Sequence, residues 1–167
     1  VLVDGNYYAY RSFYAIAQLT NARGEPTNAA FGFTSALLRM ADDLKPGRGA
    51  VIFDGGVPQE RLETHPEYKA NRKETPEALE KQIPILYEVA QALGWKTISI
   101  EGEEADDVIA SYCRAADGKS CIVATNDKDL MVLAARGAKI YQPKSEGFEL
   151  LGPSEVETKW GVPPDKV

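Results

Sequence analysis

The sequence is poor in cysteine and histidine and has no long apolar run. Its 167 residues include two cysteines, Cys113 and Cys121, and a single histidine, His65. Two cysteines supply neither a disulfide framework nor metal-site spacing, so we expect buried free thiols in a reducing cytoplasm. No apolar run approaches the roughly 20 residues of a membrane helix, and no signal-peptide pattern opens the sequence. We therefore expect a cytoplasmic protein without membrane contact, with His65 in loop packing rather than catalysis.

Basic residues are also under-represented. Nineteen Lys and Arg oppose 25 Asp and Glu, which gives a net charge of −6. This balance argues against a general polyanion binder of the basic-patch kind. It does not exclude an enzyme that acts on nucleic acid, because the charge comes from clustered acids that bound metal would offset. The length and the 44% hydrophobic content are those of one globular domain with a real core.

Predicted strands and helices alternate along the chain. The helix 8–17 would place Tyr10, Phe13, Tyr14 and Ala17 on one face, and the helix 28–44 would bury Phe31, Leu38 and Ala41. The predicted strands are 1–3, 50–53, 96–100, 121–124 and 139–141. The other predicted helices are 77–93, 105–116 and 129–135, and residues 153–160 would form the start of a further helix. Such alternation predicts an α/β fold with a mostly parallel sheet and helices on both faces. The segment 55–75 has no clear period, which indicates a functional or mobile loop.

Acidic residues follow four of the predicted strands. They are Asp4, Asp54, the group Glu104, Asp106 and Asp107, and the pair Asp127 and Asp129. The carboxyl ends of parallel strands share one edge of the sheet, where ligands bind. Two carboxylates 4 Å apart repel by roughly 4 kcal/mol at an effective dielectric of 20. A fold tolerates this when Mg²⁺ or Mn²⁺ supplies the opposing charge, so the sequence predicts a metal-dependent site.

Each acidic group also has an ordinary structural interpretation. Acids in the first turn of a helix complement its dipole, Asn126 or Asp127 is a good N-cap, and Asp-Gly pairs form turns. Those effects account for one or two acids, but poorly for five between residues 101 and 107. The metal interpretation is therefore preferred, because all four acidic groups are expected at the same edge of the sheet.

Basic and aromatic residues accompany the acids. Arg11 follows Asp4 by two helical turns and would reach a phosphate at the same edge. The run 68–73 holds three basic residues and Tyr68 without an acid, which suits phosphate contacts and base stacking. A solvated loop is the alternative, since the wider segment 55–75 is balanced in charge.

The motifs together resemble the 5′-nuclease family, most closely the 5′→3′ exonuclease domains of bacterial DNA polymerases I and more distantly the flap endonucleases. The resemblance runs along the whole chain. It is carried by Leu2-Val3-Asp4-Gly5, Ala9-Tyr10-Arg11, Phe53-Asp54, Arg61, Tyr68-Lys69-Ala70-Asn71-Arg72, Gly102-Glu103-Glu104-Ala105-Asp106-Asp107 and Thr125-Asn126-Asp127-Lys128-Asp129-Leu130.

The resemblance implies a PIN-like fold with an arch near 55–75 and two divalent cations, Mg²⁺ or Mn²⁺. It implies hydrolysis of phosphodiester bonds of DNA or RNA near 5′ ends or flaps, including removal of RNA primers, during replication and repair. The metal-binding residues it implies are Asp4, Asp54, Glu104 and Asp106 for the first ion and Asp107, Asp127 and Asp129 for the second. Lys69 and Arg72 would act on the scissile phosphate from the arch, Arg11 and Arg61 would contact other phosphates, and Tyr68 would stack on the end nucleotide.

Two departures from the family pattern are Glu103, where an apolar residue is usual, and Asn6, where His or Ser is common. Neither is a ligand, so we expect modest effects. We expect residues 1–167 to form the N-terminal catalytic domain of a monomer, without the helix–three-turn–helix part that follows in the family and completes the second metal site. A fused polymerase and an RNA–DNA hybrid are further expected partners.

Other functions fit less well. A haloacid-dehalogenase-type phosphatase needs a second Asp two residues after the first, where this chain has Asn6. A dinucleotide-binding enzyme needs a Gly-x-Gly-x-x-Gly turn after the first strand, which is absent. A nucleic-acid-binding module that does not cut stays open as an alternative.

Overall fold

A six-stranded sheet with helices on both faces forms the framework. The computed structural model describes residues 1–56, 58, 63–64, 74–116 and 120–167. The strands are β1 (Leu2–Asp4), β2 (Ala50–Ile52), β3 (Lys96–Ile98), β4 (Ile122–Ala124), β5 (Lys139–Pro143) and β6 (Phe148–Leu151). The helices are α1 (Gly5–Ala15), α2 (Asn28–Leu44), α3 (Glu77–Glu80), α4 (Ile83–Ala92), α5 (Ala105–Ala115), α6 (Val132–Ala135) and α7 (Pro153–Trp160), with 3₁₀ turns at Asp129–Met131 and Pro164–Lys166.

The strand order is β3-β2-β1-β4-β5-β6, and every pair is parallel except β5 with β6. The predicted α/β class with a mostly parallel sheet is thereby confirmed. On one side of β1 the chain adds β2 and then β3. It then crosses to the other side of β1 and adds β4, β5 and β6. The strand order therefore reverses between β1 and β4, and a crevice opens at such a point beyond the carboxyl ends of the strands.

Alternating side chains of the strands form two cores, one on each face of the sheet. Ile52, Val123 and Ile140 pack with α5, α6 and α7. Their neighbours Val51 and Tyr141 pack on the opposite face with α1, α2 and α4. Because both faces of the sheet are covered, the inner strands consist almost entirely of apolar residues. This pattern is what predicted them from the sequence.

The buried faces of the first two helices differ from the prediction. In α1 the buried residues include Tyr8 and Ala9, whereas Tyr14 is 69% exposed. In α2 the residues that pack inward are Ala29, Phe33, Leu37 and Met40. Both helices carry apolar residues on more than one face, and the packing of α1 against α2 selects between them.

The predicted burial is therefore wrong for Phe31 and Leu38, whereas Ala41 packs against the core. Phe31 is 59% exposed and Leu38 is 49% exposed, while Ala41 is half-buried. Phe31 lies two residues before Phe33, which is more than half a helical turn away from the buried stripe.

Two further elements differ from the prediction. The predicted helix 77–93 is broken at Lys81 and Gln82, because Pro84 has no N–H to donate to the carbonyl of Glu80. The edge strand β6 was not predicted. It follows β5 through a short turn in which Lys144 N donates to Gly147 O at 3.1 Å.

Both cysteines are buried free thiols, as predicted. Over the described parts of the chain, no helix is long and apolar enough to span a membrane.

Gly55 fixes the path of the chain after β2. Its N–H donates to Glu103 O at 2.8 Å, and its carbonyl accepts from Gly102 N at 3.0 Å. A Cβ at this position would lie 1.8 Å from the carbonyl oxygen of Ile100. The absence of a side chain thus lets the segment that carries Asp54 lie against the segment that leads into α5.

We expect Gly55→Ala to destabilise the protein by about 3 kcal/mol or more, because backbone must move to admit the methyl group. Gly47→Ala is the matched control, since nothing lies within 4 Å of its added Cβ, and it should change stability by less than about 1 kcal/mol. Urea unfolding of the three proteins measures both values. Equal stabilities for the two variants would contradict this role of Gly55.

Candidate active site

Five of the seven predicted acids line one cavity where the strand order reverses. The cavity measures about 290 Å³ and also includes Arg11 in its wall. Asp4 ends β1, Asp54 follows β2, and Asp127 follows β4, while the remaining two acids stand at the start of α5. The acids of this cavity are Asp4, Asp54, Glu104, Asp106 and Asp127. Three strand ends and one helix start thus bring them together, although they are up to 123 residues apart in sequence.

Asp4 is held in place by two hydrogen bonds. It is 4% exposed and caps α1 by accepting from Tyr7 N through Oδ1 at 2.9 Å. Its Oδ2 accepts from the Thr125 hydroxyl, also at 2.9 Å. The Thr125 oxygen in turn accepts from Asp127 N at 3.0 Å. Thr125 therefore connects the acid after β1 to the acid after β4.

Asp54 is held by contacts from two directions. Its Oδ1 accepts from Ala105 N at 2.8 Å, at the start of α5. Its Oδ2 accepts from the side-chain amide of Asn6 at 3.0 Å, and Asn6 Oδ1 accepts from Asp54 N at 2.9 Å. Sequence reasoning treated Asn6 as a departure of little effect and missed this positioning role. The only available signal was its place two residues after Asp4, in the first turn of α1.

Glu104 and Asp106 stand at the N-terminus of α5. Glu104 is the N-cap residue and is 6% exposed, and Asp106 lies in the first turn. Asp107 is also in this turn, but it is not among the residues that line the cavity.

The two acids after β4 differ in position. Asp127 lines the cavity, and its Oδ1 accepts from Asp129 N at 3.0 Å. Asp129 begins the 3₁₀ turn, is exposed, and does not line the cavity. Of the three acids that the resemblance assigns to a second ion, Asp127 lines the cavity, and Asp129 is close enough to raise the pKa of Asp106.

Burial, together with the neighbouring carboxylates, raises the pKa of two of the acids. Burial raises the pKa of Asp4 to about 6 and outweighs the hydrogen bonds from Tyr7 and Thr125, which lower it, while the negative charges of Asp127 and Asp54 make smaller contributions that raise it. Burial likewise raises the pKa of Asp106 to about 7, and Asp4, Asp127 and Asp54 add to the shift. A bound cation would stabilise the ionised form of these carboxylates, so cation binding in this cavity would be strongly favoured.

The chemistry of these donors fits hard divalent cations. All five acids offer carboxylate oxygens, which Mg²⁺ and Mn²⁺ prefer. Within the described ranges, no group of three or more acids, histidines or cysteines is close enough to form a ready-made cage. Mg²⁺ in proteins usually keeps several waters and takes its remaining ligands from one or two carboxylates and from substrate phosphates.

The other predicted site residues fall into two groups. Arg11 lines the cavity and lies over the Tyr8 ring, 5.9 Å from its centroid. Tyr10 and Tyr14 also line it, with ring centroids 6.5 Å apart. The predicted residues Arg61, Tyr68, Lys69 and Arg72 lie outside the residues that the structure describes.

Comparison with known proteins identifies the family. Residues 1–161 match the family described as the 5′-3′ exonuclease, N-terminal resolvase-like domain. DNA polymerase I of Deinococcus radiodurans is 41% identical over 164 residues, which cover 97% of this chain and 17% of that protein. DNA polymerase I of Bacillus subtilis is 37% identical over 171 residues, covering 100% of this chain and 19% of the relative. The chain thus spans about a fifth of the length of these relatives.

Solved structures show the same fold at lower identity. The T5 D15 protein co-crystallised with metal ions superposes with a TM-score of 0.74 at 19% identity, covering 96% of this chain and 60% of that one. The catalytic core of Rad2 in complex with a DNA substrate gives a TM-score of 0.58 at 18% identity, with coverages of 96% and 49%. Together with the family match, they confirm the PIN-like fold and the family resemblance.

Burial of Asp106 beside other acids makes the stability of the metal-free protein fall as the pH rises. The folded state keeps the Asp106 proton up to about pH 7, whereas an ordinary aspartate releases it near pH 3.8. The unfolded chain therefore binds fewer protons between these values, and the free energy of unfolding decreases across this interval. We expect Asp106→Asn to be more stable than wild type at pH 8 by about 1–2 kcal/mol after solvent screening.

Thermal unfolding in EDTA at pH 4 and pH 8 measures this effect. The advantage of Asp106→Asn should disappear below about pH 4, where both states are protonated. Asp165→Asn is the matched control, because it removes an exposed acid that does not line the cavity. Its stability relative to wild type should not depend on pH. A pH-independent difference between Asp106→Asn and wild type would contradict the electrostatic account.

Proposed function

Because this chain belongs to the family of 5′-3′ exonuclease N-terminal, resolvase-like domains, we propose that it is the catalytic domain of a divalent-metal-dependent 5′ nuclease. It hydrolyses phosphodiester bonds of DNA close to 5′ ends and flaps. The observation that carries the proposal is the cavity between β1 and β4, where five carboxylates meet and no protein nucleophile is needed. The family membership supplies the class of reaction, and the cavity supplies residues able to perform it.

The proposed metal ligands divide into two sets. Asp4, Asp54, Glu104 and Asp106 hold the first ion, and Asp127 holds the second together with Asp107 and Asp129. The hydrogen bonds from Thr125 and Asn6 orient Asp4 and Asp54, as contacts beyond the direct ligands do in metal sites. When bound, such ions lower the pKa of water to yield a nucleophile and neutralise charge on the transferring phosphate.

The remaining residues of the cavity bind and orient the nucleic acid. Arg11 borders the acids and offers a guanidinium that suits a phosphate through two parallel N–H groups. Tyr14 is 69% exposed beside Tyr10 and offers a ring face on which a base can stack. Lys69 and Arg72 are proposed to neutralise the scissile phosphate, with Arg61 and Tyr68 contacting the strand nearby.

The relatives suggest the context of this activity. The curated relatives of which this chain spans about a fifth are named DNA polymerase I. We therefore propose that the nuclease is fused to a polymerase and removes 5′ flaps or RNA primers during replication and repair. One T5 relative is described as a pseudo-enzyme-product complex with DNA and metal ions, which supports DNA as the substrate class. We propose a monomer, because described residues of a single chain supply all five carboxylates of the cavity.

Cleavage of a labelled 5′-flap DNA with Mg²⁺ tests the proposal. Wild type should cut near the junction and lose activity in EDTA. Asp106→Asn should reduce the rate at saturating substrate by at least about 100-fold, since removing a ligand weakens charge compensation worth several kcal/mol. Asp165→Asn should cut at the wild-type rate.

Two comparisons make the flap assay decisive. A single strand and a blunt duplex of the same length separate flap recognition from general DNA cleavage. If the wild-type chain binds Mn²⁺ and flap DNA but cuts none of the three substrates, it is the non-cutting binding module that the sequence left open. Metal-independent cleavage, or equal rates for Asp106→Asn and wild type, would contradict the proposed mechanism.

Asn6 gives a more specific prediction, because it touches Asp54 and lies outside the proposed ligand set. We expect Asn6→Ala to raise the Mg²⁺ concentration needed for half-maximal cleavage by about 10- to 100-fold, as for other residues that orient a metal ligand. The rate at saturating Mg²⁺ should fall much less.

Gln91→Ala is the matched control for Asn6→Ala. It removes an exposed side-chain amide that bonds Thr97 at 2.8 Å, on α4. An unchanged Mg²⁺ dependence in Asn6→Ala, with a loss of maximal rate alone, would show that Asn6 does not act through the metal ligands.

A further inference from the structure

A second cavity adjoins the acidic one and has the opposite character. It measures about 250 Å³ and shares Tyr7 and Arg11 with the acidic cavity. Its wall is otherwise formed chiefly by Lys159, Asn126, Gln142 and Thr125, and the described residues that line it include no carboxylate. We call it the basic cavity. Two cationic side chains, contributed by α1 and α7, therefore face a space directly beside the proposed metal site.

A buried glutamine fixes the side chains of the basic cavity. Gln142 on β5 is 6% exposed. Its Nε2 donates to Asn126 Oδ1 at 2.7 Å, and its Oε1 accepts from Lys159 Nζ. The Asn126 oxygen accepts this bond, and its side-chain NH₂ group can only donate. Lys159 has three N–H hydrogens and uses one for Gln142. Arg11, Lys159 and Asn126 thus give the basic cavity a lining rich in N–H donors.

The electrostatic surroundings also favour an anion. Burial lowers the pKa of Lys159 below its usual value, and the nearby positive charge of Lys144 lowers it further, while Glu149 opposes both. An anion in the cavity would reverse these effects on the charged lysine. The site therefore matches a group that is negative and accepts hydrogen bonds, as the phosphodiester does.

We propose that the basic cavity binds a phosphodiester group of the substrate strand, next to the group held at the acids, through Lys159 and Arg11. Gln142 is a positioning residue that orients Lys159 and Asn126. The two cavities meet at the consecutive residues Asn126 and Asp127, so one strand can cross both. This inference rests on the proposed nuclease function, since it assigns a further part of the same substrate.

The salt dependence of DNA binding tests the assignment. Each phosphate neutralised by a protein cation contributes about 0.7 to 0.9 to the slope of log K against log salt. The affinity of a labelled 5′-flap DNA is measured in EDTA, where metal-dependent cleavage is blocked, between 50 and 200 mM salt. Lys159→Met should lower the slope by that amount, so that wild type loses about 2.6 to 3.5 times more affinity than the variant over this range.

Two variants control for structural effects. Lys159→Arg keeps the charge and should keep the wild-type slope. Lys96→Met removes an exposed lysine at the amino end of β3, away from the carboxyl edge, and should leave the slope unchanged. Gln142→Glu, which adds a negative charge beside Lys159 without changing the size of the side chain, should weaken binding and lower the slope as Lys159→Met does.

The outcomes separate this inference from the proposed function. An unchanged slope in Lys159→Met, with wild type still binding flap DNA, would overturn the phosphate site alone. A slope that falls equally in Lys96→Met would also overturn it, because the loss would then reflect net charge. A wild-type protein that neither binds flap DNA in this assay nor cuts it with Mg²⁺ would overturn the proposed nuclease function as well.

Discussion

The repulsion among carboxylates at the end of the sheet is the constraint on which the rest of the site depends. The fold holds the side chains of Asp4, Asp54 and Asp106 close together. In an unfolded chain their negative charges would keep them apart. Their positions are set by donors: Tyr7 N and Thr125 for Asp4, and Ala105 N and Asn6 for Asp54. These hydrogen bonds offset part of the cost of placing the carboxylates together. The pKa values of Asp4 and Asp106 are still raised, chiefly by burial and further by the neighbouring acids. Bound cations would offset the remainder.

The sheet creates this arrangement through its strand order. Because β1 lies between β2 and β4, the acids that follow these three strands meet without long connecting loops. Gly55 then brings the chain after β2 against the chain before α5. On the other side, Gln142 of β5 connects α7 to the residue next to Asp127. A basic cavity and an acidic one therefore stand side by side, which is the charge pattern that a phosphate chain with bound cations requires.

The strands and the acids could be predicted from the sequence because buried parallel strands are apolar throughout and the acids follow them directly. Other features depend on tertiary packing. Either Phe31 or Phe33 could have been the buried residue of α2, and contact with α1 selects Phe33. The role of Asn6 requires the proximity of Asp54, which is 48 residues away. The break before Pro84 and the turn at Gly147 have local causes that the sequence contains, namely a residue without an N–H and a glycine with a positive φ.

Direct measurement of divalent-metal binding tests the central claim, which is that the convergent acids form a cation site. Mn²⁺ titration followed by electron paramagnetic resonance, with wild type beside Asp4→Asn and Asp54→Asn, reports binding without any substrate. The account predicts that wild type binds Mn²⁺, that each variant binds it more weakly, and that Mg²⁺ competes for the same site. Absence of Mn²⁺ binding by a folded wild-type protein, or binding unaffected by both substitutions, would contradict the account.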